Sequence, residues 1–454
     1  MTLIKSILLL GISAFILSNN SVAQVKDLSL QQAIDLSLQN NKALKISNEK
    51  VKAAVAKVSE MKNNRLPEIS VSGSYLRLNN ANVDLKVPLK SSDDEPGSEP
   101  AASNPVKLNE AAYGIANASL PIFSGLRIQY GIQSAKYLQK AAELDQVRDK
   151  ETLIQNAIEA YYNLYKAQKA VDLVNQNLKQ AQQRSLDFQN LETNGIIARN
   201  DLLKVQLQES NIELALLDAE NNLKIVNFNM DLMLGLDEST QISLTSTPSS
   251  QTISQNEIGN IQDWESKALN NRADYLSILQ QKEAGDIGIK ATKSNYYPSL
   301  ALTGGYAAIY APNVLTVTNA VNIGIGLRYN ISDLYKTGAK VKQAKAQEQQ
   351  IYFASQQLND GIRIQIHKAY QDYLESLKKI KVYGKAVDQA AENYNVVNNK
   401  YKNALATTTD LLDADVNKLQ ADLNAEYAKA DALIAYYKLH ETAGILTQEN
   451  TENK

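Results

Sequence analysis

The chain is written twice. Residues 188–203 (FQNLETNGIIARNDLL) and 397–412 (VNNKYKNALATTTDLL) spell nearly the same polar turn 209 positions apart, and each ends in Asp-Leu-Leu. The offset of 209 also lays Ala157–Ala167 on Ile366–Ser376, with Ala160 on Ala369 and Tyr161 on Tyr370, and Gly235 on Gly444. No insertion is needed from Gln133 to Gly235. Upstream the offset grows, with Gln39–Ile46 (QNNKALKI) on Leu269–Leu276 (LNNRADYL) and Leu66–Tyr75 on Tyr297–Tyr306. The difference is an insertion in the first copy that includes Lys90–Pro105 (KSSDDEPGSEPAASNP). Its Pro, Ser and acidic residues cannot build a core, so it reads as a long exposed loop. A chain of this kind folds as two like halves: a first repeat at 24–236, a linker at 237–260, a second repeat at 261–446 and a polar tail at 447–454.

Each repeat runs helix, strands, very long helix, and then turns back. Proline is absent from Leu126 to Leu191, while Ile128, Ala135, Ala142, then Ile154, Tyr161, then Val171, Leu178 and Ser185 recur at sevens. Such spacing denotes long helices packed almost in parallel, as in a coiled coil. Some 65 residues at 1.5 Å each make a rod of roughly 100 Å, far longer than a compact domain needs. The rods reverse at tips near 191–201 and 400–410. Leu202, Leu203, Leu207, Leu214, Leu217 and Ile225 continue the first return helix; Leu411, Leu412, Val416, Leu419, Leu423 and Leu433 continue the second.

Strands fall near 66–123 and 297–331. Val321–Ile331 (VNIGIGLRYNI) alternates apolar and polar or small residues throughout, at about the length of a tilted membrane strand. Leu300, Leu302, Tyr306 and Tyr310 alternate with Ala301, Thr303 and Gly305, and Ile69, Val71 and Tyr75 with Ser70, Ser72 and Ser74. A fourth strand near Ala112–Ile122 alternates poorly. A short loop around Pro312–Thr316 makes the second copy's strands a hairpin. A soluble sandwich strand alternates in the same way, so the N-terminus matters. Lys5, the apolar run Ile7–Leu17 and Ser21-Val22-Ala23 form a secretory signal at 1–23, cleaved before Gln24. That run is too short to span a bilayer. An exported chain with polar, small-residue inner faces fits β-structure in lipid. Four strands cannot close a barrel, and open edges are forbidden in hydrocarbon. Copies of the chain must complete the cylinder: three give twelve strands, whereas two give eight and little lumen.

Together these features resemble the TolC-type outer-membrane efflux protein family. The matching residues are Asn270-Asn271-Arg272-Ala273-Asp274-Tyr275-Leu276, Tyr297-Pro298, Leu120-Pro121-Ile122-Phe123 with Gly125, and the two tips. The resemblance implies a mainly α fold with transmembrane β-structure: a homotrimeric 12-stranded β-barrel in the outer-membrane lipid of a Gram-negative envelope, continued by a long α-helical barrel through the periplasm. It implies an exit duct for a tripartite efflux or type I secretion system, working with a periplasmic adaptor and an inner-membrane pump. Carried over along YKNALATTTDLLDA, the family's aperture aspartates fall on Asp410 and Asp413, three apart on one helix face. A threefold axis would gather six carboxylates, which attract cations and raise one another's pKa. Thr409 and Asp410 are also good helix-capping residues. The family's tip-closing tyrosine and aspartate match Tyr401 and Asp201. Its arginine position is Ala406 here, and Arg199 on the first tip is the available guanidinium. The resemblance places adaptor docking at Gly195, Ile196 and Asn200 on the first tip and at Ala404, Leu405 and Thr409 on the second, where small residues admit a close approach.

Other chemistry finds little support. Cysteine is absent, which excludes disulfides, thiolate metal sites, a cysteine nucleophile and lipidation on cysteine. Net charge is −2 with no basic block, so nucleic acid is not an expected partner. His367 and His440, the only histidines, lack a second ligand at metal spacing. Gly324-Ile325-Gly326 lacks the third glycine of a dinucleotide loop. Neither a cofactor nor enzymatic activity is expected. A soluble periplasmic coiled-coil adaptor or scaffold is the alternative; it would need a compact β-rich domain that is not evident. The cargo class is not encoded in the duct: drugs, metal ions, bile-type detergents and polypeptides all use such channels.

Overall fold

The computed structural model describes residues 25–83, 106–245, 259–312 and 314–447. The export signal, the Lys90–Pro105 loop, the middle of the linker and nearly all of the polar tail lie outside the described residues. The first copy comprises β1 (Val25–Leu28), α1 (Leu30–Asn40), α2 (Lys42–Asn63), β2 (Glu68–Val83), β3 (Val106–Phe123), α3 (Arg127–Thr193) and α4 (Arg199–Leu234). After β4 (Gln241–Leu244), the second comprises α5 (Ile261–Asn271), α6 (Ala273–Lys293), β5 (Ser299–Ala311), β6 (Leu315–Arg328), α7 (Asp333–Lys402) and α8 (Thr408–Thr442). Helix α3 has 67 residues and α7 has 70, so each is roughly 100 Å long. No described helix is both long and apolar enough to cross a membrane.

The chain divides into two compact units, and each draws on both copies. One comprises Met1–Glu49, Leu144–Leu276 and Gln357–Lys454; the other comprises Lys50–Glu143 and Ser277–Gln356. The core of the first unit is duplicated residue by residue. Ala157 and Ile366, Leu164 and Tyr373, Met230 and Leu439, and Leu234 and Ala443 are pairs 209 apart, and all eight are buried. They form two apolar clusters, one around Ile34, Ile158, Tyr161 and Leu234, the other around Trp264, Ile362, Tyr373 and Leu439. The expected seam positions Ile154, Tyr161, Leu178 and Ser185 are buried as well.

In both copies the first helix breaks and restarts, and the end of the return helix seats on that break. Asn41 and Arg272 leave helical geometry, with ψ of 127° and 118°. Gly235 (φ 67°) presses on Asn40, and Gly444 (φ 70°) presses on the backbone of Asn271 and Arg272. A β-carbon would meet those atoms at 2.9 Å and 2.8 Å, and both glycines are left-handed, so the two positions exclude larger residues. The break residues also satisfy the helix ends. Asn40 Nδ2 donates to the Leu234 carbonyl (2.7 Å), and Arg272 Nη1 donates to the Thr442 carbonyl (3.3 Å). Within the linker, β4 pairs in parallel with β1. Its backbone is held by Asn227, which bonds the Thr240 carbonyl and the Ile242 amide, and by Gln168, which bonds the Ile242 carbonyl.

The second unit carries a four-stranded antiparallel sheet in the order β2-β3-β5-β6. Strands β5 and β6 form the expected hairpin. Strand β6 stops at Arg328, short of the expected Ile331, because Asp333 and Leu334 donate back to the Asn330 and Ile331 carbonyls and turn the chain into α7.

Candidate functional site

Register assigns each sheet residue to a face. Val71, Ala116, Tyr306 and Val321 share one row, and Ile69, Ala118, Gly304 and Ile323 the next. Val71, Val321 and Ile323 are 81%, 77% and 81% exposed, so this face is apolar and bare. The opposite face is set by rows such as Ser70, Asn117, Gly305 and Asn322. An apolar outer and a hydroxyl- and amide-rich inner surface is the division of a membrane barrel wall. Below the polar face lies an open cleft of about 1050 Å³, lined by Glu60, Glu68, Arg127, Arg328 and Thr303 among others. The weak alternation of β3 has a plain cause. Its outward residues are Ala112, Gly114, Ala116 and Ala118, while Tyr113 and Ile115 face inward.

Both tips share one backbone design. At the first, Gly195 (φ 71°) ends α3, and Ile196 N–H donates to the Leu191 carbonyl (2.9 Å). At the second, Ala404 (φ 57°) ends α7, and Leu405 N–H donates to the Lys400 carbonyl (2.8 Å). This is the left-handed helix stop in which the amide beyond the turn satisfies a terminal carbonyl. Asn194 donates to the Asn190 carbonyl, and Asn403, 209 further on, to the Asn399 carbonyl. Ile196 and Leu405 stand 67% and 75% exposed at the ends, beside exposed Asn200 and Thr409.

The two aspartates expected at the aperture, Asp410 and Asp413, differ from each other. Asp410 is the third residue of α8 in a reciprocal cap with Thr407: its carboxylate accepts from Thr407 N (2.8 Å) and Oγ1 (2.7 Å). Those bonds hold its pKa below 3.8 in the single chain. The cap residue is thus Thr407, with Thr409 in the first turn after it. Asp413 is exposed on the same face, one turn on. The first-copy counterparts of the two aspartates are Asp201 and Lys204, which pair with each other at 3.3 Å.

Tyr401 is stacked on Phe188, with ring centroids 5.4 Å apart and planes 11° apart. It joins an apolar cluster of Phe188, Leu202 and Val205 with Ile197 and Leu412, which unites the two tips. Burial raises its pKa, with a further push from the Asp201 charge, while a hydrogen bond with the Thr408 side chain lowers it. Arg199 pairs within its own hairpin, with Glu192 at 3.3 Å. Sequence reasoning did not find a third group. Arg184 on α3 donates to Asp415 of α8 (3.0 Å) and to the Tyr394 hydroxyl of α7 (3.1 Å). Its partners lie more than two hundred residues away in the chain. The legible signal is only a charge, Asp415, among the apolar positions of a coiled-coil seam. Among the described residues no group of three or more His, Cys, Asp or Glu could hold a metal ion.

A model of the outer membrane efflux protein family matches residues 33–236 and 264–444, one match for each copy. The chain belongs to that family. Solved structures agree in fold. The outer membrane channel CmeC of Campylobacter jejuni is 17% identical with a TM-score of 0.76, covering 93% of this chain and 88% of that one. The outer membrane protein VceC of Vibrio cholerae is 15% identical with a TM-score of 0.73, covering 91% and 96%. The open state of the MtrE outer membrane channel of Neisseria gonorrhoeae is 16% identical with a TM-score of 0.70, covering 92% and 89%. Among curated proteins nothing matches. The protein is an outer-membrane efflux channel, an exit duct of the tripartite kind, and the soluble-scaffold alternative is not favoured.

Proposed function

We propose that three copies of this chain close one barrel, with β2 of each subunit pairing with β6 of the next, so that three times four strands make twelve. The observation that carries this is a sheet with one bare apolar face, one polar face and two unpaired edges. Such edges cannot remain in lipid. The alternating directions of β2, β3, β5 and β6 make every new junction antiparallel. The helices support the same reading. Leu203, Leu207, Leu214, Leu217 and Ile225 form one exposed stripe on α4, with seven-residue spacing between Leu207 and Leu214. Val382 and Val396 are bare on α7. Two unlike faces on one chain suit head-to-tail ring closure.

In this reading the mature chain begins at Gln24, the sheet sits in the outer membrane, and the hairpins hang into the periplasm. The tips, through Gly195, Ile196, Asn200, Ala404, Leu405 and Thr409, receive a periplasmic adaptor that links the duct to an inner-membrane pump. Ile196 and Leu405 offer six apolar knobs per trimer. Asp410 and Asp413 line the aperture; Tyr401 and Asp201, with Arg199 beside them, hold the tips. The chain then acts as a passive conduit, and the pump selects the cargo.

Fractionation tests the assembly: the reading requires an outer-membrane oligomer that boiling dissociates, and a stable monomer in detergent-free buffer discards it. For the aperture, Asp410→Ala with Asp413→Ala is expected to raise bilayer conductance and weaken cation preference. Asp413→Ala alone, which spares the cap, should do so in part. Unchanged conductance and selectivity in both would remove these residues from the aperture.

A further inference from the structure

The inward face of the sheet changes character along its length. Near the helices its rows are small or polar: Glu68, Ser119, Thr303 and Gly324, then Ser70, Asn117, Gly305 and Asn322. Toward the far end the rows become Ser72, Ile115, Ala307 and Ala320, then Ser74, Tyr113, Ile309 and Val317. Beyond them, Leu76 pairs with Ala111 and Ala311 with Leu315. On the opposite face at this level stand Tyr75, Tyr310 and Thr316, followed by Arg77 and Glu110, and the Tyr75 hydroxyl donates to Glu110 (2.8 Å). The wall thus reverses at its rim: the lipid side becomes polar and aromatic where the lumen side becomes apolar.

A bulge produces much of this reversal. Strand β6 takes three steps from Ala320 to Val317 against two on β5 from Ala307 to Ile309, and Asn319 has a φ of 59°. Unbroken alternation from Asn322 and Ala320 would turn Thr318 and Thr316 inward. The extra residue shifts the pattern by one, so Val317 and Leu315 face inward and Thr316 outward. Leu76, Tyr113, Ile309 and Leu315 are left exposed. Lipid cannot cover them, because they face the lumen. Neighbouring copies cannot cover them across the axis either. Twelve strands about 4.8 Å apart and tilted about 40° enclose a backbone diameter of about 24 Å. Two facing side-chain layers fill about 10 Å of that, as between packed sheets, so about 14 Å stays open. Whatever leaves through the mouth is then the occupant, and charge selects its class. Along β3, Ala111, Asn109 and Lys107 alternate onto the inward face, and Lys107 is exposed. Among the described residues it is the one charged group on that face beyond the Glu68 row. Its α-carbon lies about 13 Å along the strand from that of Ala111, within the length of a small amphiphile.

We propose that Leu76, Tyr113, Ile115, Ile309, Leu315 and Val317 of the three subunits form an apolar collar inside the outer mouth, and that this collar receives the hydrophobic body of a small anionic amphiphile whose head group pairs with Lys107. The contact is weak enough to release its cargo, as conduction requires. The inference rests on the duct reading and adds a class of cargo that the exit itself touches.

The test is single-channel recording of the full-length protein in planar bilayers, with the heat-dissociable oligomer assayed on the same preparations. The probes are submicellar octanesulfonate and octyltrimethylammonium, added from the outer side, with methanesulfonate as the control that lacks an apolar body. Octanesulfonate should block the current at concentrations at least tenfold below those of methanesulfonate. Ile309→Ser with Val317→Ser should weaken that block by about tenfold, the factor expected from removing a few buried methyl groups. Lys107→Gln should cost the sulfonate several-fold and abolish its advantage over octyltrimethylammonium. If the double variant fails to assemble, Leu315→Ser, at the end of β6, should weaken the block several-fold. Equal block by octanesulfonate and methanesulfonate overturns the collar, as does a parent-like block in the assembled serine variants. A Lys107→Gln channel that keeps its preference for the sulfonate overturns the assignment of the head group. A current that rises severalfold in the serine variants means that the collars meet one another, and block that appears only after residues 90–105 are deleted means that the chain covers its own collar; either result overturns the cargo site. A parent protein that neither oligomerises nor conducts sinks the duct reading, and the collar with it.

Discussion

The two tips have the same backbone but divide its demands differently. At the left-handed position the first tip has Gly195 and the second has Ala404. At the following helix cap, 209 residues apart, the first has Ala198 with no side-chain bond, and the second has Thr407 in a reciprocal cap with Asp410. One tip has an unstrained turn and a bare helix start; the other has a strained turn and a fully capped start. The geometry is therefore set by the pattern of main-chain bonds at the ends of long helices. Side chains then determine where strain and compensation fall. The second tip, which carries both aspartates proposed for the aperture, is the one that combines the two.

The largest effect expected from this comparison is at the cap. Thr407→Ala should destabilise the start of α8 by about 1–2 kcal/mol, whereas the equivalent first-copy position is already alanine. Amide exchange at residues 408–410 should speed up several-fold while residues 199–201 stay unchanged; equal acceleration at both tips would end the distinction. Next come the turns, where changes should act in opposite directions. Gly195→Ala should cost about 1 kcal/mol and Ala404→Gly should gain up to about as much, because only a residue with a β-carbon strains at positive φ. Limited proteolysis at each tip reads the sign. The smallest effect is acid sensitivity. Asp410 has its folded pKa held below its ordinary 3.8 by the Thr407 bonds, so the stability that it contributes is complete above that value. That contribution is lost as pH falls through the lowered pKa. The second tip should therefore fray in acid through its cap, while alanine at the first cap has nothing to titrate. Amide exchange recorded from pH 5 to about pH 2.5 separates them.

What the sequence revealed depended on whether the signal was local. The offset of 209 located the equivalent core pairs, the paired glycines 235 and 444 and both turns, because heptads and turn residues are written in adjacent positions. Strand β6 was visible through its alternation, and β3 was obscured by an outward row of alanine and glycine. Strand β4 was hidden in a Ser/Thr-rich linker: four residues, paired with β1 and braced by side chains from α3 and α4, leave no periodic trace. The buried Arg184 pair was barely legible: Asp415 is a charge among apolar seam positions, but Arg184 alone reads as a solvated surface charge. The resemblance implied a tip-closing contact of Tyr401 with Asp201, whereas the stack on Phe188 and the bond with Thr408 depend on how two distant hairpins meet and were not legible.

Because each chain supplies an even number of strands running alternately up and down, no ring built from it is forced into a like-directed junction. Its girth is then counted in whole chains. Gene duplication or loss of a single strand would break the alternation at every boundary, so a wider or narrower bore must come in steps of four.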